Sequence, residues 1–138
     1  MTKGDLNAFL TALQAAFLDG DWENVLSKFK IPFVIYSEAG VSLIRDAAHL
    51  SDVLQQYREA LGQTGVASTA LDVEHRDSPS DQRLRATVRI TDFGEDGDEI
   101  RHSLIRYFLV VEGDSYKIEM LEYLKSSLSL SDIQRIVH

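Results

Sequence analysis

Leu6, Phe9, Leu10, Leu13, Ala16 and Phe17 recur at the three- and four-residue spacing that gathers them on one face of an α-helix. Asp5 stands where a cap belongs and Gly20 where a helix stops, so a first helix is predicted between them. Asp21 restarts the chain, and Trp22, Val25, Leu26 and Phe29 repeat the spacing. This second helix is expected to end before Pro32, because a proline pushes the preceding residue out of the α region. The period then changes. Residues 32–37 and 41–45 are short β-rich runs around Glu38-Ala39-Gly40, which reads as a hairpin turn. Asp46 opens a third helix with Leu50, Val53, Leu54, Tyr57 and Leu61 on one face and Gly62 as its stop.

From Val66 onward the pattern is almost wholly strand, in four runs near 66–76, 82–92, 99–111 and 115–124. They are separated by Asp77-Ser78-Pro79-Ser80-Asp81, Gly94-Glu95-Asp96-Gly97-Asp98 and Glu112-Gly113-Asp114, all turn-forming chemistry. The second run alternates clearly, with Leu84, Ala86, Val88 and Ile90 facing a core and Arg83, Arg85, Thr87 and Arg89 facing water. Ser131-Asp132-Ile133-Gln134 fits a capping box ahead of Ile136 and Val137, which predicts a short C-terminal helix. The expected architecture is α+β: three N-terminal helices packed in a strongly curved antiparallel sheet. Residues 1–138 form one domain, with 125–138 as a C-terminal extension.

Composition narrows the function classes. A chain of 138 residues, 44% hydrophobic, can build a full core without covalent staples. It has no cysteine, so disulfides, thiolate zinc sites and thiol catalysis are excluded, and a reducing cytoplasm is the expected location. A net charge of −8 opposes binding to nucleic acid and to anionic membrane surfaces. No apolar run is long enough to span a bilayer. Asp92, Glu95, Asp96, Asp98 and Glu99 lack the alternating ligand spacing of a calcium loop and read as a solvated hairpin turn. No metal or cofactor is called for by any motif.

Gly20-Asp21-Trp22, then Pro32-Phe33-Val34-Ile35-Tyr36, and finally Gly113-Asp114-Ser115-Tyr116-Lys117-Ile118 occur in an order that resembles the nuclear transport factor 2-like superfamily. That superfamily includes SnoaL-like cyclases and ketosteroid isomerase. The resemblance implies a cone-shaped, cystatin-like fold with a pocket at its wide end and homodimers formed through the sheet. It does not imply one activity, because the fold hosts many. Ketosteroid isomerase chemistry uses a tyrosine, a carboxylate base and a protonated aspartate. The corresponding positions here are Leu13, the neighbourhood of Ser37 and Glu38, and Ile105 or Arg106, so those functional groups are not preserved.

Candidate chemistry rests on polar residues sharing the parity of apolar ones. His75 follows Leu71 and Val73; His102 and Arg106 alternate with Ile100, Leu104 and Phe108; Glu122 alternates with Ile118 and Met120. Tyr36 and Tyr123 offer an aromatic body with a polar tip. If these faces are interior, His102 and His75 are the candidate catalytic groups, since imidazole titrates near neutrality. Tyr36, Arg106, Glu122 and Tyr123 would then contact the ligand, with Arg106 favouring an anionic group. A structural ion pair between Arg106 and Glu122 accounts for the same pattern. The opposite row, Ile105, Tyr107, Leu109 and Val111, would form the dimer surface.

Two functions follow from this pattern. One is a pocket protein that binds or transforms a small anionic or apolar molecule, of isomerase, lyase or hydrolase type. The other is a noncatalytic ligand-binding or protein-interaction module. The sequence leaves both open.

Overall fold

The computed structural model describes residues 5–38 and 40–125. Helix α1 spans Asp5–Asp19 and buries the expected stripe, Leu6 and Leu10 completely. It ends in a Schellman arrangement: Asp21 N–H reaches Ala16 O at 2.9 Å and Gly20 N–H reaches Phe17 O at 3.2 Å, with Gly20 at φ +74°. Helix α2 is shorter than its periodicity suggests, only Trp22–Leu26. Phe29 has helical spacing, yet it opens strand β1 (Phe29–Ser37) and pairs with Ile118, while Lys28 O accepts from Ile118 N–H at 2.8 Å. Tertiary pairing therefore overrides a local pattern that carries little energy of its own. Pro32 lies inside β1, within the register shift between Phe29 and Val34, where an absent N–H leaves the ladder least disturbed.

Strand β2 (Gly40–Ile44) completes the first hairpin, and α3 (Ala47–Gln63) follows, capped as expected by Asp46, which accepts from His49 N–H at 2.8 Å. The helix runs past Gly62 and stops before Gly65, whose φ is +87°. Four long strands then follow: β3 (Ser68–Ser80), β4 (Arg83–Phe93), β5 (Glu99–Glu112) and β6 (Ser115–Lys125). They join the first hairpin in one curled, unclosed six-stranded sheet of order β2-β1-β6-β5-β4-β3. Every pairing is antiparallel except β1 with β6, which is parallel and brings the N-terminal hairpin back beside the last strand.

The helices pack into the concave face of this sheet, forming the α+β architecture expected from the pattern. Phe17 and Trp22 meet edge to face at 5.9 Å, and Phe17 also meets Tyr57 of α3 at 6.1 Å. Arg58 Nε donates to Leu18 O at 2.8 Å, tying α3 to the end of α1. The C-terminal helix expected at Ser131–Val137 lies outside the described residues.

Candidate functional site

The inward row of β4 is Ala86, Val88, Ile90 and Asp92, all buried. Residues directly opposite in a ladder share a face, so the register assigns the inward row of β5: Val88 faces Ile105, Ala86 faces Tyr107 and Ile90 faces Ser103. In β6 the inward residues are Tyr116 and Ile118, then Leu121 and Tyr123. The parity changes because Glu119 is an extra residue between the Leu109–Ile118 and Phe108–Met120 pairs.

Above these rows lies a cavity of about 70 Å³, open to solvent at its mouth. Helix α1 supplies Leu13, Gln14 and Phe17, and α3 supplies Leu54, Tyr57 and Leu61. Asp92, Ser103, Tyr107 and Tyr123 provide the sheet's polar groups, set among Ile90, Ile105 and Leu121. The cavity is therefore mostly apolar and aromatic with a few convergent polar groups, the usual composition of a small-molecule site. No lysine, arginine or histidine lines it.

Three phenols meet here. Tyr57 stacks on Tyr123 with ring centroids 6.0 Å apart, and their side chains are hydrogen-bonded. Burial pushes the Tyr123 phenol well above its usual range, with Tyr57 and Tyr107 adding to the effect. Burial pushes Tyr107 up as well.

The structure corrects several expected placements. Of the residues singled out from the sequence, Tyr123 lines the cavity; His102, His75, Tyr36, Arg106 and Glu122 do not. His102 and Arg106 face outward opposite Thr91 and Thr87, and His102 Nε2 lies 3.4 Å from Lys125 Nζ. Both rows of β5 are half apolar, so its alternation alone could not assign the interior. His75 is turned outward by a bulge at Glu74, between the Val73–Val88 and His75–Thr87 pairs. Glu122 is turned outward by the bulge at Glu119.

Arg106 Nη1 donates to Glu122 Oε1 at 2.7 Å, so the structural pair is what forms. Tyr36, Glu122, Arg106, Thr87 and His75 lie in one row across five strands of the convex face. The surface expected for dimerisation is inverted: Ile105, Tyr107 and Leu109 are core residues. The outward arginines of β4 are paired across strands, with Arg85 on Asp77 and Arg89 on Glu74. The Arg85 guanidinium holds the Asp77 carboxyl below its usual range.

Asp92 is the main residue the sequence reading missed. Its place beside Glu95, Asp96, Asp98 and Glu99 reads as part of a solvated turn, yet it is 2% exposed. Extending the alternation of Ala86, Val88 and Ile90 by one step reaches it.

A curled sheet closed over by helices around an aromatic cavity defines a pocket-bearing α+β domain. The family model described as NTF2-like protein (DUF6841) matches residues 5–122, and the chain belongs to that family. Among solved structures it is similar to a cystatin-like domain of unknown function from Nostoc punctiforme, with 18% identity and TM-score 0.70, covering 95% of this chain and 82% of that one. It is also similar to an NTF2-like protein of unknown function from Shewanella oneidensis, with 13% identity and TM-score 0.66, covering 89% and 98%. These likenesses establish the fold. No curated protein matches the chain.

Proposed function

We propose that this protein binds a small, largely apolar molecule in the cavity between α1, α3 and the concave face of the sheet. The observation that carries the reading is the aromatic, mostly apolar wall that Asp92, Ser103, Tyr57, Tyr107 and Tyr123 share in lining. Proton transfer in this cavity would have to use Asp92 or a tyrosine hydroxyl, because no other titratable side chain lines it. The anionic ligand suggested by Arg106 loses its motive, since that arginine is paired with Glu122 outside. A thermal-shift screen of uncharged ring compounds is the direct test. A ligand present at a hundred times its dissociation constant should stabilise the native state by about 2.7 kcal/mol. The same compound should give no shift with Leu13→Trp, which fills the cavity. Hits that persist in that variant would place binding elsewhere.

A second role, association between copies, is supported by the convex face. Val41, Leu43 and Tyr36 are 55%, 45% and 41% exposed, and the ladder sets Leu43 beside Val34, Met120 and Phe108. Such an apolar band fits an isologous two-fold contact. Light scattering should give a dimer mass that falls to monomer in Leu43→Lys; a monomeric wild type at micromolar concentration would exclude the contact. No helix among the described residues is long and apolar enough to cross a membrane. The cytoplasm remains the proposed compartment.

A further inference from the structure

We infer that two copies of this chain join edge to edge through strand β2, running antiparallel, with Arg45 of each copy meeting Glu38 of the other. This rests on the reading that copies associate, and places their joint at the sheet's edge.

The two open edges of the sheet are built differently. The order β2-β1-β6-β5-β4-β3 leaves the outer sides of β2 and β3 without a neighbouring strand among the described residues. An open edge offers unpaired N–H and C=O groups to another chain, and proteins block it with charge, proline or bulges. Strand β3 is blocked in all three ways. Asp72, Glu74, His75, Arg76 and Asp77 crowd it, and Pro79 removes an N–H. Its ladder shifts between Val73 and His75 and again between Asp77 and Ser80. Strand β2 has none of these. It reads Gly-Val-Ser-Leu-Ile, with no charge and no proline, and it pairs with β1 without a register break.

Self-pairing suits the side chains of β2. Residues opposite in a ladder share a face. A two-fold joint centred on Ser42 therefore sets Val41 beside Leu43 of the second copy, and Leu43 beside its Val41. Both side chains are exposed in the single chain. The contact is isologous and closes after one pairing.

The charges at the ends of β2 select the same arrangement. Glu38 and Arg45 are exposed, and a five-residue strand, roughly 17 Å long, stands between them. Among the described residues, every other lysine and arginine has a partner: a carboxylate, a backbone carbonyl, a ring or another side chain. Arg45 has none there. Antiparallel pairing brings the Arg45 end of one strand to the Glu38 end of the other, twice. In the register centred on Ser42, Arg45 lies one residue, roughly 3.4 Å, from the level of Glu38 in the second copy. Asp46, the next acid, is engaged as the cap of α3 through His49 N–H.

Sedimentation velocity over a concentration series tests this with the full chain. The wild type should be a dimer that loosens as salt is raised, because both ion pairs are open to water. Arg45→Glu and Glu38→Arg each turn two attractions into two repulsions, and each should weaken the dimer by about tenfold. An equimolar mixture of the two variants sets opposite charges together at both ends and should restore wild-type association. So should the double variant Glu38→Arg with Arg45→Glu. Recovery on mixing also shows that each variant is folded. The inference is overturned if the single reversals leave the dimer unchanged, or if neither the mixture nor the double variant restores it. A dimer that ignores the reversals yet dissociates in Phe108→Asp is held through the convex face, and only the edge joint falls. A wild type that stays monomeric at micromolar concentration removes both readings.

Discussion

The two rows of β5 run side by side along one strand and do opposite work. Ser103, Ile105, Tyr107 and Leu109 look into the concave face and are at most 4% exposed, whereas His102, Leu104, Arg106 and Phe108 look out and are only half-buried. The outward row contains a histidine and an arginine, the residue types most often associated with chemistry, whereas the inward row carries an arginine only at its end, Arg101 opposite Asp92. Reactive residue type is therefore a poor guide to interior position. In this sheet the convex face neutralises its charges by cross-strand pairing, and the concave face reduces polarity to a buried carboxyl and a few hydroxyls.

The sharpest test of that contrast uses two neighbours. Leu109 is 1% exposed in the core, and Phe108 lies across from Met120 on the convex side. Leu109→Ala should cost about 2–5 kcal/mol, transfer and cavity terms together. Phe108→Ala removes a larger side chain yet should cost no more than about 1 kcal/mol in the isolated chain. Urea unfolding curves for both would check this. Equal losses would mean that the convex face is already covered in the protein as purified, which the dimer would explain.

The order of elements, the helix caps at Asp46 and Gly20, and the inward face of β4 were legible because strong alternation and turn chemistry act locally. The site was legible only in part. Tyr123 lines the cavity, but His75 and Glu122 are turned outward by single-residue bulges at Glu74 and Glu119. A bulge reverses the facing of every residue beyond it and leaves no mark in composition. His102 and Arg106 were misplaced for a different reason. Strand β5 is apolar on both rows, and only its register against β4 decides which row is inside.

The tyrosines of the concave face give a smaller, pH-dependent signature. Burial raises Tyr107 and Tyr123 in the folded state, so the folded chain keeps their protons where the unfolded chain loses them. Below about pH 10, the ordinary phenol value, both states hold these protons and their contribution is constant. Above it the unfolded state binds fewer protons, and stability should fall by up to about 1.4 kcal/mol per pH unit for each phenol. Denaturant titrations from neutral to alkaline pH should show that decline, and Tyr107→Phe should make it shallower. Phenolate absorbance in the native protein that rises fully at the ordinary value would show that these rings are not buried.

The smallest expected effect belongs to Arg106→Met, and its size separates the two faces most directly. Had Arg106 and Glu122 been enclosed together under the helices, removing the arginine would strand a buried carboxylate and cost about 3–5 kcal/mol. Their side chains are 38% and 36% exposed, so water and counterions can solvate Glu122 once its partner is gone. The cost should then fall in the range of an exposed pair, within about 1 kcal/mol. It should shrink further as salt is raised, because screening acts on charges that water can reach. Ligand binding in the cavity should be unchanged, since neither residue lines it. A loss of several kcal/mol that is insensitive to salt would instead show that the pair is covered, and with the apolar neighbours Val34, Met120 and Phe108 around it, the cover would have to be a second molecule seated on the convex face.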